Sequence, residues 1–246
     1  LLVERQGLKV VCPIDDNDIL QITSTREGGY SCGEYSSFNA ALHVGDDCYN
    51  VLKNLEKLKS IWGINKLCTL TQVHGAVVHV VTHDNLSEIM FKDGDGLFTS
   101  ECGLALGILT ADCWNVHLIG EKCISSLHCG WKSTAAGIVN VALELFKQHG
   151  DKVIRAVVGP GISGANYEVG TDLADKFCGL GFPDALIDEG GKTCLSLESV
   201  LRQSLNNAGV ENINSVSDCT YGSDLFYSYR RDNGKTGRMI SVLMRK

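Results

Sequence analysis

Short apolar runs rich in β-branched residues alternate along this chain with longer amphipathic ones, in no regular succession. The apolar runs at 19–25, 70–73, 77–81, 104–109, 116–119, 123–127, 153–158 and 239–244 read as strands, with Gly75 breaking the second from the third. Asp47 is placed to cap a helix in which Val51, Leu55, Leu58 and Trp62 share a face, the i, i+4, i+7, i+11 pattern. Residues 134–148 read as a second helix, with Ile138, Val141, Ala142 and Leu145 inward and Gly150 as its stop. Residues 171–178 and 197–207 form two more, the last capped by Ser196 and ended by Gly209. Strands that return through short turns as well as through helices predict an α+β fold. The expected form is a layered sandwich of mixed sheets flanked by helices, not a doubly wound sheet. No repeat, low-complexity tract or Pro/Ser-rich linker interrupts residues 1–246, so one domain is expected.

A chain of 246 residues buries a large core without help from metals or disulfides. Its net charge of -7 argues against nucleic acid or an anionic membrane as partner. Its apolar runs fall far short of the roughly 20 residues of a membrane helix. Segment 1–14 carries Glu4, Arg5 and Lys9 and has no leader pattern, which points to the cytoplasm. The 11 cysteines include no Cys-x-x-Cys, against a zinc ribbon or a redox pair. Most read as small buried hydrophobes in a reducing compartment.

The chemistry concentrates in three segments: Gln72-Val73-His74-Gly75, Ala111-Asp112-Cys113-Trp114 and Leu127-His128-Cys129-Gly130. Each ends a strand-like run with a soft or borderline metal ligand. Two imidazoles and a thiolate suit zinc, or copper when present, and with no obvious fourth protein ligand they form an open site of the catalytic kind. The same Cys113 and His128 also fit a thiolate nucleophile beside its base, and spacing alone does not separate the two. His43, before Gly45-Asp46, is a fourth candidate, while His117 reads as a buried structural residue. Arg26, Lys132, Arg230, Arg231 and Arg238 lie in loop or glycine-rich contexts suited to oxyanions, and Arg26 and Lys132 are the favoured pair. Gly159-Pro160-Gly161, which follows the strand-like run 153–158, is not a Walker loop, so a nucleoside-triphosphate reading is poor.

Ordered matches run through nearly the whole chain. They include Ser24-Thr25-Arg26-Glu27-Gly28-Gly29, Asn39 with His43-Val44-Gly45-Asp46-Asp47, Gln72-Val73-His74-Gly75, Asp95-Gly96-Leu97-Phe98-Thr99 and Thr110-Ala111-Asp112-Cys113. Further on come His128-Cys129-Gly130-Trp131, Gly159-Pro160-Gly161-Ile162, Tyr167-Glu168-Val169 and Phe226 to Arg231 with Thr236-Gly237-Arg238. In these the chain resembles the YfiH family, also called the laccase-domain or polyphenol oxidase family. The resemblance implies zinc on His74, Cys113 and His128, and a single α+β domain. It implies phosphorolysis of adenosine, inosine, guanosine and methylthioadenosine and hydrolytic deamination of adenosine, with copper-dependent phenol oxidation as an older assignment. The fold also resembles the catalytic domain of the cytotoxic necrotizing factor toxins, which use a Cys-His pair, and this keeps a metal-free thiol hydrolase or deamidase in view. The chain departs from the family pattern at Lys132-Ser133, where Arg-Gly is usual, and at Asn115, where Pro is common.

Seven histidines without a His-x-His pair are too few for multicopper chemistry. Deamination needs a carboxylate to carry a proton, and Asp112 and Asp95 are the expected carriers beside Cys113 and His128. Phosphorolysis needs its phosphate positioned, for which Arg26 and Lys132, together with Asn39 and His43, are the expected residues. The expectation is a cytoplasmic zinc enzyme, copper being possible, acting on a small purine nucleoside as a monomer or weak homo-oligomer.

Overall fold

The computed structural model describes every residue except Asp15 and Ser217. Its strands are β1 (Leu2–Arg5), β2 (Leu8–Val11), β3 (Ile19–Ser24), β4 (Lys66–Cys68), β5 (Val78–Val80), β6 (Gly96–Thr99), β7 (Leu104–Thr110), β8 (Trp114–Gly120), β9 (Ile124–Cys129), β10 (Val153–Val158), β11 (Leu186–Glu189), β12 (Lys192–Leu195), β13 (Ile213–Ser215) and β14 (Met239–Arg245). The helices are α1 (Cys48–Trp62), α2 (Leu86–Ile89), α3 (Trp131–Ala135), α4 (Ile138–Gln148), α5 (Thr171–Gly179) and α6 (Leu197–Asn207).

Two six-stranded mixed sheets, ordered β1-β2-β3-β14-β7-β4 and β13-β10-β8-β9-β6-β5, stack face to face, and β11-β12 forms a separate ribbon. Period-two alternation assigns each side chain to a layer. Ile19, Leu104, Leu106 and Leu243 of the first sheet meet Leu97, Ile119, Ile124 and Val157 of the second in the middle. The opposite faces carry Leu20, Ile22, Val242 and Met244 against α1, and Trp114, Val116, Leu118 and Leu127 against α4 and α6. The result is the expected single-domain α+β sandwich. Among the described residues no helix is long and apolar enough to cross a membrane.

The middle layer turns polar toward one end. Asn115 and His117 follow Ile119's face of β8 and pair in register with His128 and Ser126 of β9. The neutral imidazole of His117 is fully buried, shares a 2.9 Å hydrogen bond between Nδ1 and Ser126 Oγ, and is pushed by burial down to about 3. Asn115 also accounts for Gly159, since a Cβ there would lie 2.2 Å from its amide. Gly161 has the same explanation, a Cβ meeting the Trp114 ring at 2.4 Å.

The α1 reading holds, with Asp47 Oδ1 accepting from Tyr49 N at 2.8 Å. Residues 134–148 are instead the end of α3 and the whole of α4, separated at Gly137, which adopts φ 77°. In α4 Ile138, Val139, Ala142 and Phe146 face the core, Leu145 is half-buried and Val141 is exposed. Residues 70–73 are loop, not strand, and the strand of that region is β4. Residues 153–158 are a strand buried only in its second half. Of the 11 cysteines only Cys68, Cys123, Cys129 and Cys194 are buried, fewer than composition suggested.

Candidate metal centre

The polar end of the sandwich gathers the three ligand candidates. His128 sits near the end of β9, Cys113 in the turn from β7 to β8, and His74 in the loop before β5. One ligand atom from each lies within 4.8 Å of the others, with Cys113 Sγ and His74 Nε2 at 3.9 Å. The imidazole rings meet edge to face, their centroids 4.8 Å apart. Gly130 lets them approach, because a Cβ there would stand 3.0 Å from His74 Cδ2 and 3.1 Å from Cys113 Sγ.

Asp95 organises this corner. It is fully buried, and its Oδ1 accepts from His128 Nδ1 at 2.7 Å and from His74 N at 2.9 Å. Its Oδ2 accepts from Gly75 N at 2.6 Å and Val73 N at 3.3 Å. Burial alone would raise its pKa, but the bond from His128 and the backbone N–H groups hold it below the usual carboxylate range. With Nδ1 engaged, His128 presents Nε2 to Cys113 and His74, the arrangement of a metal-ligating histidine backed by a carboxylate. Burial pushes the Cys113 thiol up, but His128 and His74 outweigh it and bring the group down to about 6. Burial likewise depresses His128, and the Cys113 thiolate with Asp95 lifts it to about 9. A thiolate, two imidazoles and an outer carboxylate are a donor set that fits zinc.

Two non-glycine residues here hold positive φ, His74 at 61° and Asp112 at 87°. Asp95 fixes the first. The second is fixed by its own carboxylate, whose Oδ1 accepts from Thr220 Oγ1 and Oδ2 from Arg230 N, both at 2.7 Å. Both oxygens of Asp112, like both of Asp95, are therefore occupied by donors.

Over the three ligands opens a cavity of about 510 Å³, walled by Trp131, Tyr167, Tyr229, His43, Arg230 and Arg238 among others. His43 was expected here, and burial followed by the Arg238 charge lowers its pKa. Arg26 is elsewhere, its Nε donating to Ser36 O at 3.0 Å and its guanidinium 4.8 Å from the Tyr227 ring. Asn39 is fully buried and does not line the cavity; its Oδ1 accepts from Ala41 N at 3.0 Å and Arg238 N at 2.9 Å. Lys132 is exposed and lines a smaller recess of about 230 Å³ beside His74 and Cys113. Sequence reasoning weighed Arg230 and Arg238 below Arg26 and Lys132, and the Thr236-Gly237 step before Arg238 was the available signal for a close approach. A second, mainly apolar groove of about 640 Å³ shares His43, Leu70, Gln72 and Leu109 with the first. Gln72 is the rib between them, bound to Leu109 through both its amide atoms at 2.7 and 2.8 Å.

The profile of a family described as multi-copper polyphenol oxidoreductase laccase matches residues 20–246. A Deinococcus radiodurans protein named purine nucleoside phosphorylase is 37% identical over 227 residues, 89% of this chain and 87% of that protein. The Escherichia coli protein named purine nucleoside phosphorylase YfiH is 32% identical, covering 90% of this chain and 91% of its own. The crystal structure of the Bacillus licheniformis hypothetical protein YfiH superposes with a TM-score of 0.89 at 29% identity, over 99% of this chain and 98% of that one.

Proposed function

Because the chain belongs to the laccase-domain (YfiH) family, we propose that it is a zinc-dependent purine nucleoside phosphorylase. The observation that carries the reading is the meeting of His74, Cys113 and His128 within 4.8 Å at the floor of a cavity large enough for a nucleoside and phosphate. Zinc, when bound there, supplies a Lewis acid and positive charge beside the reacting groups.

The chain's own residues do the rest. Asp95 orients His128 and the 73–75 loop. Asp112, which the sequence suggested as a proton carrier, enters as a positioning residue, since Thr220 and the Arg230 backbone occupy its oxygens. Trp131, Tyr167 and Tyr229 offer aromatic surface to a purine and exclude water from it. In the reaction a phosphate oxygen attacks ribose C1′ and the C1′–N9 bond breaks, with its electron pair passing to the base. Phosphorolysis is better supported than deamination, because the relatives are named purine nucleoside phosphorylase and Asp95, which accepts from four donors, has no lone pair left to carry the proton deamination requires. Phenol oxidation by several coppers is the weakest reading: the described residues hold one cluster of three such ligands.

The test is chromatography of adenosine, inosine and methylthioadenosine incubated with and without phosphate, beside elemental analysis of the purified protein. Phosphate-dependent release of free base and about one zinc per chain, both lost in Cys113→Ala, are expected. A protein without zinc, or a Cys113→Ala variant with unaltered turnover, refutes the reading. A second reading, a metal-free thiol hydrolase, is favoured by the contact of Cys113 with its imidazoles; inactivation by alkylation of Cys113 that zinc neither requires nor blocks would select it.

A further inference from the structure

Three arginines close together near the C-terminus have different fates. Arg231 is consumed by the fold. Its Nε meets Asp232 Oδ1 at 2.9 Å, and its Nη atoms donate to the carbonyls of Thr220, Ser223 and Phe226 at 3.0, 3.0 and 2.8 Å. Arg230 and Arg238, by contrast, both line the cavity above Cys113, and neither joins an ion pair among the described residues.

Arg238 Nη1 donates to the carbonyls of Thr236 at 2.7 Å and Gly237 at 2.9 Å, and among the described residues Nε and Nη2 have no acceptor. Among the described residues Arg230 makes a single side-chain bond, Nη1 to Glu168 O at 3.3 Å, while the Glu168 carboxylate is paired with Lys192 at 2.8 Å. Both guanidinium groups are held in place. Arg238 lies 5.6 Å from the Tyr229 ring with its backbone N–H fixed by Asn39, and Arg230 lies 5.1 Å from the Tyr167 ring with its backbone N–H fixed by Asp112. Arg230 is exposed, but Arg238 is half-buried, and a guanidinium withdrawn from water and lacking a carboxylate is costly to a fold. Here Asp112, the carboxylate whose charge reaches Arg238, accepts instead from Thr220 Oγ1 and the Arg230 backbone N–H. The protein thus keeps one half-buried guanidinium fork, Arg238, and one exposed one, Arg230, lining one cavity, although its net charge is -7.

We propose that Arg238, assisted by Arg230, is the clamp that binds inorganic phosphate against the His74–Cys113–His128 corner. This assignment rests on the phosphorylase reading and replaces Arg26 and Lys132 as the phosphate ligands. The clamp holds hydrogen phosphate while the lone pair of one oxygen forms the bond to ribose C1′. The C1′–N9 pair moves onto the purine, and the proton that phosphate brought ends on that base. Free base and ribose 1-phosphate leave, with no other reactant needed. Guanidinium forks suit this step because they match phosphate oxygens two at a time and leave the attacking oxygen unprotonated.

Calorimetry of inorganic phosphate with the zinc-loaded protein tests the clamp directly, paired with the KM for phosphate at saturating inosine. Arg238→Gln is expected to weaken phosphate binding and raise that KM at least tenfold. Zinc content and the KM for inosine should stay within about twofold of the parent. Arg238→Lys should recover only part of the loss, since a lysine cannot form the fork, and Arg230→Gln should show a smaller loss. An Arg238→Gln protein that retains zinc and the parental phosphate affinity overturns the clamp, whatever the turnover. If the parent cleaves no nucleoside, the phosphorylase reading fails, while phosphate binding lost in Arg238→Gln still sustains the clamp. Adenosine monophosphate serves as the second probe: Arg238-dependent binding of it by a protein that binds no inorganic phosphate would assign the forks to a nucleotide and overturn the proposal.

Discussion

Replacing Asp95 by asparagine is the most incisive perturbation of the centre, because it keeps the side chain's shape and removes only its charge and half its accepting capacity. The Asp95 carboxylate receives four donors: Val73 N and Gly75 N on Oδ2, His74 N and His128 Nδ1 on Oδ1. An asparagine must place its NH2 against one of those pairs. Facing Val73 and Gly75, it sets donors against donors in the loop that holds His74 at φ 61°. Facing His74 and His128, it either loses both bonds or forces the His128 proton from Nδ1 to Nε2, the nitrogen that a metal needs bare. Two bonds to an ionised acceptor contribute roughly 1.5–3 kcal/mol each, so the metal-free protein should lose about 3–6 kcal/mol, less where the ring changes tautomer. Metal affinity should fall by about 10–100-fold, the usual cost of losing an outer partner of a ligating histidine. Urea unfolding of the metal-free proteins reads the first effect, and competition for zinc with a chromophoric chelator reads the second. Wild-type stability together with zinc affinity within threefold of wild type would show that Asp95 does not organise the site.

Gly130→Ala separates the metal centre from the fold. Gly130 has φ -77° and ψ 173°, open to any residue, yet its new Cβ would crowd His74 and Cys113 at 3.0 and 3.1 Å. Zinc affinity should drop about tenfold while the metal-free unfolding midpoint stays near wild type, and the reverse pattern would contradict the geometry. His117 gives a pH prediction. Its pKa, depressed from 6.5 to about 3 by burial, means that the unfolded chain binds a proton here which the folded chain refuses. Its contribution is therefore complete above pH 6.5 and is lost as pH falls toward 3, at up to about 1.4 kcal/mol per pH unit. His117→Gln should flatten the stability curve in that window, as read by denaturation at a series of pH values, and a parallel curve would show that His117 is not held neutral.

What could be read in the sequence followed from how local each signal was. Helix α1 was legible because its cap and its apolar stripe lie within one stretch, with Val51 and Leu58 fully buried as the period requires. In the 134–148 region Ile138 and Ala142 were read correctly, but Val139 and Phe146 flank them on one side of the helix and Val141 and Leu145 on the other, and an apolar run offers both stripes at helical spacing; the helix buries the first and leaves Val141 exposed. Strand β6 was not distinguished because it is only four residues, Gly96–Thr99, of which Leu97 and Phe98 alone are large and apolar, too short a run to show a period. The three ligands stood out as soft donors at strand ends. The walls did not. Arg231 and Arg238 find their partners within their own stretches, Asp232 and the carbonyls of Thr220, Ser223 and Phe226 for one and the carbonyls of Thr236 and Gly237 for the other, and neither stretch tells which guanidinium the fold turns toward the cavity.

The choice between ligand and nucleophile for Cys113 turns on His74. Asp95 behind His128 is common ground, since a carboxylate orienting an imidazole serves a metal site and a thiol–imidazole pair equally. A nucleophilic pair needs only one imidazole. This chain brings a second to 3.9 Å from the Cys113 sulfur and holds its backbone at φ 61°, a conformation that costs on the order of 1–3 kcal/mol for a non-glycine residue. It then commits three N–H groups of residues 73–75 to Asp95 to keep it there. A thiolate acting alone gains little from this arrangement, whereas a cation gains its third ligand. The strain at His74 is therefore the part of the site that speaks most directly for a metal.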